Sequence, residues 1–528
     1  MMTNNLYVFG DQDVKVPAHL NFGKYILDRI RRKKDEIALE HGETHVKVTY
    51  KEFTQYAVNV STALTKLGVG RGDIVAVGSE KRNEFVSTVL AIVFTGATYT
   101  PYDLKSGRAV LKHKITTTKP KYFICSYHFW TIYSDILKSF DCIKTIITLD
   151  DDDGNHSLIP IRTLVKKDED INNFEPAEVQ GQRDTAFILY SSGTTGMPKG
   201  VQLTHLNCIL NSLPDDFKDE SLQTAFVFGE WYHNYDTFMT YKFLALGRKI
   251  VYFDEALPHS FIKCVESCNI NVAFLVPSFV NYLSKSEEVD KFNVDSLKII
   301  YSRSSPLHNK TIKEVKSRFP NLKNVLQGYG MTEAGELTSE SWGTKGPKPG
   351  SVGMATPGIT LKVVDPETCE MLGPNQRGEI CLRGSVFMKG YIGVDPSVYL
   401  DKEGFFKTGD LGYYDDDKYF YIVERLKEMI VYDGYKVAPL ELETIIQLHP
   451  GVREAGVVGK PVPVYGEEPS AFVVKQPGFT VTEKELMSYV ALEVAPFMQL
   501  RGGVKFIEEI PRNPRGKIVR QRLREMLR

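Results

Sequence analysis

Short runs of β-branched and aromatic residues alternate with segments of helical periodicity along most of the chain, the pattern of parallel sheets crossed by helices. Ile74–Val77, Thr145–Thr148, Ala186–Tyr190 and Lys298–Tyr301 read as strands, and Thr54 to Leu67 and Lys310 to Phe319 as helices. The most apolar stretch, Phe85 to Tyr99, is interrupted by Ser87, Thr88, Thr95 and Gly96. It is too short and too polar to cross roughly 30 Å of hydrocarbon, so it predicts a helix buried in a core. Asp150 to Asn155 and Lys166 to Asn173 are polar surface loops, and the first lacks the ligand spacing of a calcium loop.

From about Gly350 the texture changes to glycine-punctuated strands: Leu361–Val364, Gly378–Leu382 and Tyr419–Val423. They predict an antiparallel, β-barrel-like part attached to the α/β body. After Arg425–Lys427 the chain has a pattern of its own, βαβ-like, from Met429–Val431 through Ala455–Val458. The expected organisation is a large N-terminal α/β body over 1–424, a connection at 425–427, and a small α+β domain over 428–528. The tail holds Arg512, Arg515, Lys517, Arg520, Arg522, Arg524 and Arg528, with Ile518, Val519, Leu523 and Met526 interleaved. That spacing predicts an amphipathic helix with a cationic outer face rather than a nucleic-acid arm.

Composition removes several classes of function. The 528 residues carry 65 basic and 66 acidic side chains, a net charge of -1, so no whole-molecule field recruits nucleic acid or anionic lipid. Seven cysteines are an odd and sparse set, as in a reduced intracellular protein. Cys264 and Cys268, one helical turn apart, read as buried thiols with no second ligand pair nearby. Met1 to Asp13 is polar, and the chain ends Met526-Leu527-Arg528 rather than in the peroxisomal Ser-Lys-Leu tripeptide. The expectation is a cytoplasmic protein with no membrane span, monomeric or weakly dimeric. Neither a His-Glu-x-x-His zinc signature nor a Gly-x-Ser-x-Gly nucleophile elbow occurs.

The chemistry is concentrated in short motifs. Tyr190-Ser191-Ser192-Gly193-Thr194-Thr195-Gly196-Met197-Pro198-Lys199-Gly200 follows a strand directly. Small hydroxyl residues and glycines let backbone N–H groups wrap an oxyanion, and Lys199 adds positive charge. It is not a Walker loop, because Lys199 stands between proline and glycine. Gln327-Gly328-Tyr329-Gly330-Met331-Thr332-Glu333 is expected as a turn presenting an aromatic face, a hydroxyl and a carboxylate suited to Mg²⁺ near phosphates. Lys407–Gly412 places Asp410 at an expected tight turn, suited to ribose hydroxyls. Glu424-Arg425-Leu426-Lys427 marks the boundary, and Pro514-Arg515-Gly516-Lys517 sets a lysine on a glycine turn.

In this order, from Val48-Thr49-Tyr50 to Lys517, the motifs resemble the adenylate-forming superfamily of acyl-CoA synthetases, adenylation domains and beetle luciferases. Asn375-Gln376-Arg377-Gly378-Glu379, the run at Glu424–Lys427 and Leu500–Val504 look most like its insect luciferase and luciferase-like acyl-CoA ligase branch. The resemblance implies that a carboxylic acid is joined to the α-phosphate of Mg-ATP with release of pyrophosphate. It implies that Ser191, Ser192, Gly193, Thr194, Thr195 and Lys199 cradle phosphates, and that Tyr329 stacks on adenine. Asp410 grips the ribose, Arg425 assists at ribose or phosphate, and Gly328 and Ile422 complete the nucleotide site. Thr332 and Glu333 face the α-phosphate and Mg²⁺, and Lys517 bridges the two anions. His233 contacts the acid's carboxylate, with Tyr235, Arg303, Ser304 and Ser305 around the acid. Lys427 is the implied hinge of a mobile C-terminal domain.

Departures from the family pattern fall in the acid pocket. Ser302-Arg303-Ser304-Ser305 replaces the family's small glycine-rich run before Pro-Leu, Asn211 stands near the position of a luciferin-contacting arginine, and Val431 replaces a lysine of the second half-reaction. An inward Arg303 shortens the pocket and favours a compact acid; an outward one is a surface arginine. The second step is then thioester formation with coenzyme A or, alternatively, oxidation by O₂ with light. A non-catalytic nucleotide-binding regulator is the third reading.

Overall fold

A computed structural model describes residues 6–11, 14–104, 107–151, 158–191, 197–213, 219–254, 257–304, 306–340, 346–433, 435–463, 466–513 and 516–527, without the Lys436 side chain. Two large sheets form the body. The first has eight strands, and its central ones, Thr98–Tyr102, Ile74–Gly78, Tyr122–Cys125 and Thr145–Thr148, run parallel. The second has nine, with a parallel centre of Asn324–Met331, Ile299–Ser302, Val272–Leu275, Thr224–Val227 and Lys249–Tyr252. Buried on both faces, these strands are near-continuous apolar runs, which is why they were readable from sequence. Aromatic rings knit the sheets together: Phe22 meets Phe187 of the first sheet and Phe238, on the helix Asn234–Ala245, at 5.9 Å between centroids.

A five-stranded antiparallel sheet follows, in the order Val8–Phe9, Ile359–Val364, Gly378–Gly384, Phe406–Tyr414, Phe420–Arg425. Beyond the short 3-10 turn Leu426–Glu428 lies a separate small unit. Its sheet holds Tyr435–Val437, Ile430–Tyr432, Gly466–Lys475, Val452–Val462 and Val504–Phe506. No apolar cluster among the described residues mixes side chains from before and after that turn. Each unit therefore buries its own core. No helix of the described residues is long and apolar enough to cross a membrane.

Four expectations need correction. Phe85 to Tyr99 is not one helix: the helix is Asn83–Phe94, Gly96 turns the chain at φ +78°, and Thr98 opens a strand. Gln327–Met331 is no turn but the far half of the strand Asn324–Met331, which folds back into Gly335–Ser339. Asp410 likewise lies inside Phe406–Tyr414, beside an irregularity where Gly409 adopts φ +70°. The βαβ-like order of the small unit is present: the helix Pro439–Leu448 comes between Ile430–Tyr432 and Val452–Val462, two strands that run the same way on either side of Gly466–Lys475. The closing helix Arg520–Glu525 buries Leu523 as expected, but it also buries Arg520, which is not on the outer face.

Candidate active site

One cavity of about 380 Å³ gathers side chains from both units. His233 reaches it as the residue preceding the helix Asn234–Ala245, with its ring 4.5 Å from that of Tyr232. Thr332 reaches it at the hairpin after Met331, where its carbonyl accepts from Asn234 Nδ2 at 2.9 Å. Lys517 enters from the small unit. It sits on a turn closed by Asn513: Gly516 N–H donates to the Asn513 carbonyl at 2.9 Å, and Lys517 N–H to Asn513 Oδ1 at 3.0 Å. Gly516 has φ +75°, a conformation that favours glycine, and a Cβ there would stand 3.3 Å from Ser278 Oγ of the large unit. The lysine turn thus lies against the large unit, and Lys517 lines the same cavity as His233 and Thr332.

Tyr329 lines the same cavity and donates from its hydroxyl to Asp410 Oδ2 at 2.5 Å. Arg425, opposite Asp410 in strand register, approaches Asp410 Oδ1 at 2.8 Å. Burial pulls the Arg425 guanidinium down, but Asp410, Tyr329, Glu428 and Glu333 together outweigh it and the pKa is raised. Asp410, Arg425 and Ile422 lie off the cavity's lining, and Ile422 packs against the large core.

The oxyanion motif connects two antiparallel strands, Thr185–Ser191 and Lys199–Thr204, with Lys199 opposite Ser191. Ser192, Gly193, Thr194 and Thr195 lie outside the described residues, as does Ser305. Tyr391 ties this loop to the acidic motif: its hydroxyl donates to Glu333 Oε1 at 2.6 Å, and Lys199 Nζ is 5.0 Å from its ring centre. No local motif pointed to Tyr391, because only the sheet pairing of Gly390–Tyr391 with Val201 and Gln202 brings it there. Glu333 offers the hard oxygen donor that magnesium takes beside phosphate oxygens, so the donor set fits a magnesium–nucleotide complex.

Arg303 lines the cavity as well and is 8% exposed. It is paired with Glu336, a partner the sequence did not reveal, and donates from Nη2 to Ser339 Oγ at 3.3 Å. Its guanidinium carbon lies 5.5 Å from the Tyr235 ring and 5.3 Å from the Tyr301 ring. Gly328 makes room for it, since a Cβ there would sit 2.6 Å from Arg303 Cζ. Ser304 lines the cavity too and holds φ +86°, a left-handed backbone that disfavours a side chain. Lys427 lies in the connecting turn and is exposed.

Away from this cavity, Cys264 and Cys268 are buried as expected, but Cys268 does have neighbours: Glu40 and His45 place ligand atoms within 4.8 Å of it and of each other. Lys249 already occupies Glu40 at 2.6 Å, with Lys47 at 3.7 Å, so cations stand where a metal would.

Comparison with known proteins follows the same lines. The model of the AMP-binding enzyme family matches residues 27–392, and that of the AMP-binding enzyme C-terminal domain matches 441–517. Luciferin 4-monooxygenase of Nipponoluciola cruciata is 34% identical over 510 residues, covering 94% of this chain and 92% of that protein. 4-Coumarate–CoA ligase 1 of Petroselinum crispum is 32% identical over 526 residues, covering 97% and 95%. Among solved structures, ATP-bound MatB from Rhodopseudomonas palustris matches with a TM-score of 0.85 and 29% identity, over 96% of this chain and 99% of that one.

Proposed function

We propose that this chain, which belongs to the AMP-binding enzyme family, uses Mg-ATP to adenylate a carboxylic acid and passes the acyl group to coenzyme A as a thioester. The supporting observation is the cavity that Lys517 of the small unit lines together with His233 and Thr332 of the large one. Joining a carboxylate to a phosphate brings two anions together, so the protein's task is to neutralise and align them. Lys517 is the cation between them, His233 and Thr332 orient the acid and the α-phosphate, and Tyr329 offers its ring to adenine. Asp410 and Arg425 hold the ribose side, while Ser191 to Lys199 receive the outer phosphates. Magnesium, held through Glu333, supplies charge neutralisation at the phosphates when bound.

Likeness to a luciferin 4-monooxygenase supports a second reading, in which O₂ oxidises the adenylate with emission of light. One assay separates the two: purified chain, Mg-ATP and a panel of acids, with pyrophosphate, thioester and light recorded with and without coenzyme A. Thioester without light is expected; light that needs no coenzyme A would select the second reading, and no pyrophosphate with any acid would refute both. We take the protein to be cytoplasmic, and monomeric or weakly dimeric.

The small unit is proposed to rotate about Lys427 between half-reactions. Lys427→Pro fixes φ near about -65° and removes that freedom. The expected outcome is that one half-reaction survives and the other is lost, measured separately with acid and with preformed acyl-adenylate. Equal loss of both in a folded protein would refute the hinge.

A further inference from the structure

We infer that the Arg303–Glu336 pair is a partition that selects a compact acid carrying a neutral hydrogen-bonding group, such as a hydroxyl, at the end remote from its carboxylate. The inference rests on the proposed adenylation and adds the substrate class.

A second cavity of about 50 Å³ lies behind the first and shares Tyr235, Gly335 and Glu336 with it as a common wall. Its own lining sets Leu210, Leu213, Phe238 and Met239 beside the polar Asn211, Lys242 and Thr356. Without the wall the two would be one longer cavity with room for a longer acid. The wall is held from both sides. Arg303 is fixed against Gly328 and between the Tyr235 and Tyr301 rings, while on the far side a Cβ on Gly335 would stand 1.7 Å from Asn211 Oδ1.

An alkyl chain reaching this wall would cover a buried ion pair and offer it no hydrogen bond, an unfavourable exchange. A hydroxyl can donate to the Glu336 carboxylate or accept from the guanidinium. A second carboxylate is disfavoured as well. Arg303 already faces Glu336, and the buried Glu340 is also close enough to act on it electrostatically. An added anion would meet two carboxylates for one cation.

The test is pyrophosphate release by the full chain with three acid series: hydroxylated aromatic acids beside their deoxy counterparts, straight-chain acids of increasing length, and dicarboxylates. The wild type is expected to favour the hydroxylated compact acids in kcat/KM by about tenfold or more over the deoxy forms. Arg303→Gly combined with Glu336→Ser removes both charges together, and is expected to lose that preference and gain activity on longer chains. A wild type that works best on long-chain fatty acids or dicarboxylates, or that ignores the hydroxyl, overturns the inference, and it requires no variant to fold. A folded double variant with an unchanged length profile overturns it too. Absence of pyrophosphate with every acid would instead overturn the proposed adenylation, and the partition with it.

Discussion

Lys517→Ala is expected to lower acid-dependent pyrophosphate release by about a thousandfold, while preformed acyl-adenylate is still consumed at close to the wild-type rate. The asymmetry follows from where charge is concentrated. Before the bond forms, a carboxylate and a triphosphate must approach within contact distance, and the Lys517 ammonium is the cation that the small unit brings into the cavity. Once the mixed anhydride exists, the repulsion it offsets is gone. The lysine turn is held by the Asn513 carbonyl and Oδ1, which accept from the Gly516 and Lys517 N–H groups, so the truncation is expected to leave the fold intact. Wild-type pyrophosphate release by a variant with unchanged thermal unfolding would remove Lys517 from the chemistry. Equal loss of both half-reactions would make it a general structural residue.

The second large effect is on stability. Arg520 is buried and meets three carboxylates: Glu428 at 2.9 Å, Glu424 at 3.3 Å, and Glu443. They come from the last strand of the large unit, the connecting turn and the first helix of the small unit. Burial pushes the Glu424 carboxyl up, with Arg520 working against that rise. Arg520→Met keeps most of the volume and leaves the acids buried without their cation, which is expected to destabilise by about 3–5 kcal/mol. The sign with pH is fixed by linkage. Without Arg520 the folded protein holds a proton on the raised Glu424 carboxyl that the unfolded chain releases, so stability falls as pH rises through and above the ordinary carboxylate range. The variant should therefore regain part of its loss near about pH 5, read from urea denaturation at acidic and neutral pH. A denaturation midpoint equal to wild type at neutral pH would show that the cluster contributes nothing net.

Local pattern carried the regular elements. β-branched runs such as Thr145–Thr148 needed only β-propensity, and the structure has that strand with the same ends. What failed was wherever backbone conformation or distant pairing decided the outcome. Gly96 ends a helix that hydropathy alone would continue to Tyr99, and glycine around Tyr329 suggested a turn where a strand needs close approach instead. Val8–Phe9 joins Ile359–Val364 across nearly the whole large unit, a pairing no local window contains. The motif residues were legible because each motif is contiguous. Their partners were not. Glu336 is separated from Arg303 by 33 positions and Glu443 from Arg520 by 77, and in each case the fold creates the pair. Arg303 could be named from sequence, but its direction could not. Burial and the Glu336 contact decide it.

The connecting turn also has a meaning for proteolysis. Lys427 is exposed on a three-residue 3-10 turn between two units that keep separate cores, which makes the bond after it a natural site for limited cleavage by trypsin. A single nick there is expected to leave two folded pieces, one with the residues proposed to bind nucleotide and the other with Lys517. The cut would not destroy either half of the site; it would raise the entropic cost of bringing them together, turning an intramolecular encounter into a bimolecular one. Activity of the nicked protein should then depend on concentration.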